Sequence, residues 1–295
     1  MSLPSHGANA HQLYQRLNIP IPEMVIDFSE NVNPLGPPNF VREQWESYAN
    51  LITKYPDPYG EPFLSAAAMY HSVSLKQILI GNGAAEIFAS LAIRYQHKKV
   101  VIIHPTFSEY EATIRPYGAV IKEIIAISSL PMNEVLSAVE NADVLYICRP
   151  NNPTGYLVPL EEIIQIATAA KRHDCDLVLD EAFLDFIEEQ ESFIPYLSDF
   201  PNVIVVRSMT KMYAIPGLRL GYAVAGKATI DDIRSRLPHW NSNALATTIG
   251  AQCFKEEEYR QHAIDFAVKA REDFQVFLEK FKCRVLPSHT NFLCF

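Results

Sequence analysis

Short apolar runs alternate with stretches of helical period along most of the chain. The runs at Ile78–Ile80, Val100–His104, Ile124–Ile127, Val144–Cys148, Leu177–Leu179, Val203–Val206 and Leu218–Val224 are strand-sized. Most are rich in β-branched residues, which suit a pleated surface. Between them, Ala84–Tyr95, Glu109–Tyr117, Met132–Glu140 and Leu160–His173 have the pattern of helices with one buried face. Glu161 and Glu162 stand in the first turn of the last of these, where the helix dipole favours negative charge. This alternation predicts an α/β fold with a mostly parallel central sheet flanked by helices. Helical periods dominate from Asp231 to Phe281, and Cys283–Leu286 then has the texture of a strand. The expected organisation is a Pro-rich, irregular N-terminal segment (1–44) packing with a small lobe, a large domain (45–227), and a smaller α+β lobe (228–295). No internal repeat or low-complexity segment interrupts it.

Composition narrows the class of function without naming it. The chain has 295 residues, 48% of them hydrophobic, which is enough for a sizeable core. A net charge of -9 argues against non-specific nucleic-acid binding, which needs a cationic face. Cys148, Cys175, Cys253, Cys283 and Cys294 are scattered, with no Cys-x-x-Cys pair and no His at zinc-ligand spacing. They are expected to be reduced, buried thiols in a cytoplasmic protein without a metal centre. No basic segment followed by an apolar run opens the chain, and the longest apolar runs are strand-sized, so neither a signal peptide nor a membrane span is expected.

The chemistry concentrates where the predicted strands end. Polar residues just past strand C-termini face the ligand crevice of such sheets, and Asn152, Asp180 and Ser208 all occupy that position. In Ser208-Met209-Thr210-Lys211 a lysine follows a strand end, with Arg219 eight residues further on. A partly desolvated lysine supplies an unprotonated amine to an aldehyde. Hydroxyls and an arginine fork suit a phosphate. A lone lysine of this kind is most often a surface loop residue, and Asp180 taken alone is as well explained as a helix cap. Asn151-Asn152-Pro153-Thr154-Gly155 has the composition of a turn. Gly83-Ala84-Ala85 opens a helix after a strand, where backbone amides can bind phosphate.

Taken together and in this order, these segments resemble the class I/II aminotransferase family of fold-type-I pyridoxal-phosphate (PLP) enzymes, from Asp27 to the end of the chain. The resemblance implies a PLP cofactor held as a Schiff base on Lys211. It implies Asp180 at the pyridine nitrogen, Asn152 at the ring hydroxyl and Phe107 stacked on the ring. Gly83, Ala84, Ala85, Ser208, Thr210 and Arg219 are the implied phosphate site. Tyr55, in Lys54-Tyr55-Pro56-Asp57-Pro58, matches a tyrosine that reaches the neighbouring subunit's cofactor, which implies a homodimer with shared sites. For Phe107 and Tyr55, ordinary core packing is the competing explanation.

Within the family the chain looks most like the threonine-phosphate decarboxylases, with the histidinol-phosphate aminotransferases next. Three segments carry this: Ser5-His6-Gly7-Ala8-Asn9, the run from Asp27 to Gly36, and Asp180-Glu181-Ala182-Phe183, with Phe where the aminotransferases usually have Tyr. Ala8 departs from the glycine usual in the opening motif. The implied reaction is loss of CO2 from a phosphorylated hydroxy-amino acid, giving an aminopropanol phosphate for cobalamin biosynthesis. His6, Asn33, Asn152 and Arg149 are the expected substrate contacts. Arg149 is equally well explained as a solvated loop residue. The arginine that pairs with the substrate carboxylate is expected beyond residue 295. A non-catalytic PLP-sensing regulator is the remaining alternative, and no helix-turn-helix pattern supports it.

Overall fold

The strand-forming runs assemble into a single seven-stranded sheet in the computed structural model, which describes Gly7 and residues 9–187 and 191–295. The strands are β1 (Ile78–Asn82), β2 (Lys99–His104), β3 (Val120–Ile125), β4 (Val144–Cys148), β5 (Asp176–Asp180), β6 (Val203–Ser208) and β7 (Leu220–Val224). Their order across the sheet is β1-β7-β6-β5-β4-β2-β3. From β6 to β3 every pairing is parallel, and β7 is antiparallel to both its neighbours. The parallel crossovers carry helices Glu109–Ile114, Met132–Val139 and Leu160–Arg172, so the central strands are covered and nearly continuous in hydrophobicity.

Side chains alternate between two apolar layers, one on each face of the sheet. Leu177 and Leu179 of β5 and Val203 and Val205 of β6 enter one core. Val178, Ile204 and Val206 enter the other, with Tyr146 and Cys148 of β4. The period of two therefore decides which face each strand-end residue joins. Asp180 and Ser208 follow Val178 and Val206, and Cys148 is paired in register with Asp180. Arg207 and Glu181 fall on the opposite face, buried and ion-paired to each other at 3.1 Å.

The chain divides into two compact units, Met1–Val32 and Asn33–Phe295. The first contains helix Ala10–Leu17, capped by the Asn9 side chain accepting from the Gln12 amide. The irregular N-terminus expected from sequence thus holds one helix. Its polar face dominates, which hides the helical period from a search for apolar stripes. In the second unit, Ala246, Ile249 and Cys253 of helix Ala244–Cys253 join the same core as the strands. The long helix Glu257–Lys280 follows.

Most strands shift by a residue or two at one or both ends, and two expected strands differ more. β3 runs Val120–Ile125 rather than Ile124–Ile127, because register with β2 sets its ends and its edge position leaves Val120 and Ile125 exposed. Cys283–Leu286 forms no strand. Its backbone donates from the Cys283 amide to the Leu278 carbonyl at 3.3 Å and from the Leu286 amide to the Cys294 carbonyl at 2.8 Å, and these two bonds to different segments make no ladder. Cys148, Cys175 and Cys253 are buried, and Cys283 and Cys294 are half-buried. Among the described residues, no helix is long and apolar enough to cross a membrane.

Candidate active site

One cavity gathers residues that lie far apart in sequence. It is lined by Ala84, Ala85, Phe88, Phe107, Cys148, Asn152, Asp180, Ala182, Phe183, Ser208, Thr210, Lys211 and Arg219. It lies at the C-terminal ends of β4, β5 and β6, where an α/β sheet places its ligands.

One wall is the start of helix Ala84–Arg94, which has no side-chain cap at Gly83. The first amides of a helix lack internal partners, so Ala84 and Ala85 offer donors to an anion. Two glycines let the facing elements approach. Gly83 has φ +78°, and a Cβ there stands 2.4 Å from Arg219 Nη2. A Cβ on Gly221 stands 2.4 Å from the Ala84 nitrogen. Arg219 itself has a left-handed backbone, φ 55°, and is exposed, with Nη1 donating to the Pro216 carbonyl at 3.0 Å. The Ser208 and Thr210 hydroxyls lie 2.9 Å apart. Two amides, two hydroxyls and a guanidinium on the wall of one cavity are the donor set of a phosphate dianion.

The wall at the end of β5 is built around Asp180, 4% exposed. Its Oδ1 accepts from the Ala182 amide at 2.9 Å, and its Oδ2 accepts from the Tyr110 hydroxyl. Burial raises its pKa from 3.8 to about 6; the Tyr110 and Ala182 donors and the Lys211 charge pull it down, and Glu181 pushes it up. Burial also raises the Cys148 thiol, keeping it protonated beside this carboxylate. Half-buried Lys211 places Nζ 5.9 Å from the centre of the Phe183 ring. That ring is 4% exposed and meets Phe292 edge-on at 5.0 Å.

The Asn151–Gly155 segment splits its two asparagines between structure and site. Asn151 donates to the Pro105 carbonyl at 2.9 Å and the Thr154 hydroxyl at 2.8 Å, tying the ends of β2 and β4 together. Asn152 turns its side chain to the cavity.

The chain matches the family model for aminotransferase class I and II over residues 23–295. It belongs to that family. It is 35% identical over 263 residues to the threonine-phosphate decarboxylase of Salmonella typhimurium, covering 87% of this chain and 72% of that protein. It is 31% identical to a histidinol-phosphate aminotransferase of Oleidesulfovibrio alaskensis, covering 98% and 76%. Among solved structures, the L-threonine-O-3-phosphate decarboxylase of Porphyromonas gingivalis superposes with a TM-score of 0.79 at 27% identity, covering 89% of this chain and 83% of that one. The fold is therefore the fold-type-I transferase fold expected from the sequence.

Two of the residues expected at the site, Arg149 and Asn33, lie outside the cavity wall. Arg149 is neither a solvated loop residue nor part of the cavity wall. It is fully buried, and its guanidinium donates to the Val158 carbonyl at 2.7 Å and to Glu191 Oε2 at 2.6 Å. The alternation along the strand turns it away from the face of Cys148. Asn33 is also absent from the cavity wall. At 3% exposure, its amide donates to the Met212 carbonyl at 2.9 Å and the Tyr259 hydroxyl at 3.0 Å, while its backbone N–H donates to the Lys211 carbonyl at 3.0 Å. Tyr55 is 84% exposed and touches Trp240, ring centres 5.3 Å apart. It packs in no core, which removes that competing explanation for it. His6 lies outside the described residues.

The sequence reading missed Tyr110, Cys148 and Phe88. Tyr110 follows Phe107 by three residues at the start of a helix, so both face one way, and that spacing was the available signal.

Proposed function

We propose that this enzyme releases CO2 from L-threonine O-3-phosphate to give aminopropanol phosphate. Its cofactor is pyridoxal 5'-phosphate, in keeping with its family. When bound, PLP supplies an aldehyde for an amine and a ring that accepts the electron pair left when a bond at Cα breaks. The cavity fits this group: its lining brings together a set of anion donors, a buried carboxylate and a lysine beside an aromatic ring.

In this reading Lys211 would hold the cofactor's aldehyde carbon. Asp180 keeps the proton on the ring nitrogen, and Asn152 donates to the ring hydroxyl. Phe107 covers one ring face. The Ala84 and Ala85 amides, Ser208, Thr210 and Arg219 hold the phosphate, with Gly83 leaving room for Arg219. The Lys211 amine would be the group that returns a proton to Cα.

The observation favouring decarboxylation is Phe183, which is buried on the cavity wall and brings no hydroxyl to it. The relative at 35% identity supports the same choice. Transamination of histidinol phosphate is the second reading, supported by the aminotransferase relative that covers nearly the whole chain. The test supplies PLP with O-phospho-threonine, and separately with histidinol phosphate and 2-oxoglutarate. CO2 from the first and no glutamate from the second is expected. Glutamate without CO2 overturns the decarboxylase assignment.

The same reading makes the enzyme a homodimer with shared sites. Tyr55 and Trp240, in ring contact at 5.3 Å, are 84% and 50% exposed, and exposed large aromatic side chains in contact favour burial against a partner.

A further inference from the structure

Tyr110 lies behind the cavity wall, one helical turn past Phe107, and is 2% exposed. Its ring is held by Phe88, Tyr146 and Phe107, with ring centres at 4.8, 5.5 and 5.6 Å. Its hydroxyl donates to Asp180 Oδ2. We propose that Tyr110 is the positioning residue of Asp180, holding its carboxylate charged and aimed into the cavity.

The argument starts from what burial does to a carboxylate. A group 4% exposed loses most of its hydration and is driven towards the neutral acid. Asp180 has one fixed amide donor, Ala182 on Oδ1. Without a donor on Oδ2, protonation is the cheapest relief. A protonated Asp180 presents O–H where the proposed role needs a lone pair facing a ring N–H. Tyr110 fills that requirement from the side away from the cavity, leaving the remaining lone pairs of the carboxylate for a ligand. Burial also raises the phenol's own pKa well above 10, so it stays a neutral donor at any working pH. The packed ring fixes where the hydroxyl stands, so the bond orients the carboxylate as well as charging it.

The consequence for catalysis rests on the PLP reading. The bond's effect on Asp180 does not, so the test separates the two. The carboxyl carbon of Asp180 is followed by 13C NMR in full-length, cofactor-free protein, with the resonance assigned by its loss in Asp180→Asn. The wild-type midpoint is expected near 6. Tyr110→Phe keeps the ring and its packing, and is expected to move the midpoint up by on the order of one pH unit. A fluorinated tyrosine at position 110 is a stronger donor and should move it down, which keeps the test decisive if Tyr110→Phe does not fold. A titration unmoved in either direction overturns the proposal, because a space-filling residue leaves it unchanged. In protein loaded with 15N-labelled PLP, the ring-nitrogen resonance of Tyr110→Phe should move towards the unprotonated form. If PLP does not bind at all, the functional reading fails while the cofactor-free titration still decides the role of Tyr110.

Discussion

Asp180 should make the cofactor-free protein lose stability between about pH 4 and pH 6, and Asp180→Asn should abolish that loss. The carboxyl titrates at about 6 in the folded chain against 3.8 as its ordinary value. For an acid whose folded pKa is raised, the folded state binds the extra proton, so stability falls as pH rises. Its contribution is complete below the unfolded pKa, declines through the window between the two values, and is gone above the folded one. Each pH unit is worth about 1.4 kcal/mol, so the full loss is on the order of 3 kcal/mol. Asn cannot titrate, and any cost of its altered hydrogen bonds is the same at every pH. The difference in unfolding free energy between variant and wild type should therefore grow by up to about 3 kcal/mol in the variant's favour from pH 4 to pH 7. Urea unfolding of both proteins without PLP, at intervals across that range, measures it. A difference that stays flat with pH refutes the assignment of a strained, buried charge. In the loaded enzyme the same substitution should lower turnover far more than PLP affinity, because the carboxylate matters most where the ring nitrogen must hold its proton.

Three further outcomes follow from individual contacts. Lys211→Ala should fold normally yet show no covalent PLP after borohydride reduction and peptide mapping; a pyridoxyl adduct on another lysine sinks the assignment. Arg149→Met should cost about 1–3 kcal/mol in thermal or urea unfolding, because it removes the donors to Val158 and Glu191, while leaving substrate KM unchanged; a large KM effect with intact stability restores a substrate role. Mixing inactive Lys211→Ala and Tyr55→Phe chains should recover activity at roughly a quarter of the sites, since in a two-fold dimer each mixed pair regains one intact site; a monomer in sedimentation at micromolar concentration rules this out.

The sequence by itself determined the architecture and most of the cavity wall. Central strands buried on both faces leave an unmistakable apolar run, so β4 was located to the residue, and β5 and β6 to within one or two at each end. Because ligands sit past strand ends, Asn152, Asp180 and Ser208 could be picked from the same runs, and their motifs then added Lys211 and Arg219. Edge and terminal segments were less legible, since pairing partners set the ends of β3 and denied Cys283–Leu286 a ladder.

Only the tertiary structure decided which charged and polar residues line the cavity. Arg149 and Asn33 were expected substrate contacts, Asn33 within the run from Asp27 to Gly36 and Arg149 as a cation just before Pro150. Alternation and packing instead bury the guanidinium against Val158 and Glu191, and the amide against Met212 and Tyr259. Tyr110 carried no expectation from the sequence, and it is the side chain whose hydroxyl meets Asp180. A one-dimensional pattern records which residues are apolar and how they repeat. Whether a buried polar atom faces a cavity or a neighbouring carbonyl depends on the direction of a side chain among elements distant in sequence, and that is fixed only when they pack.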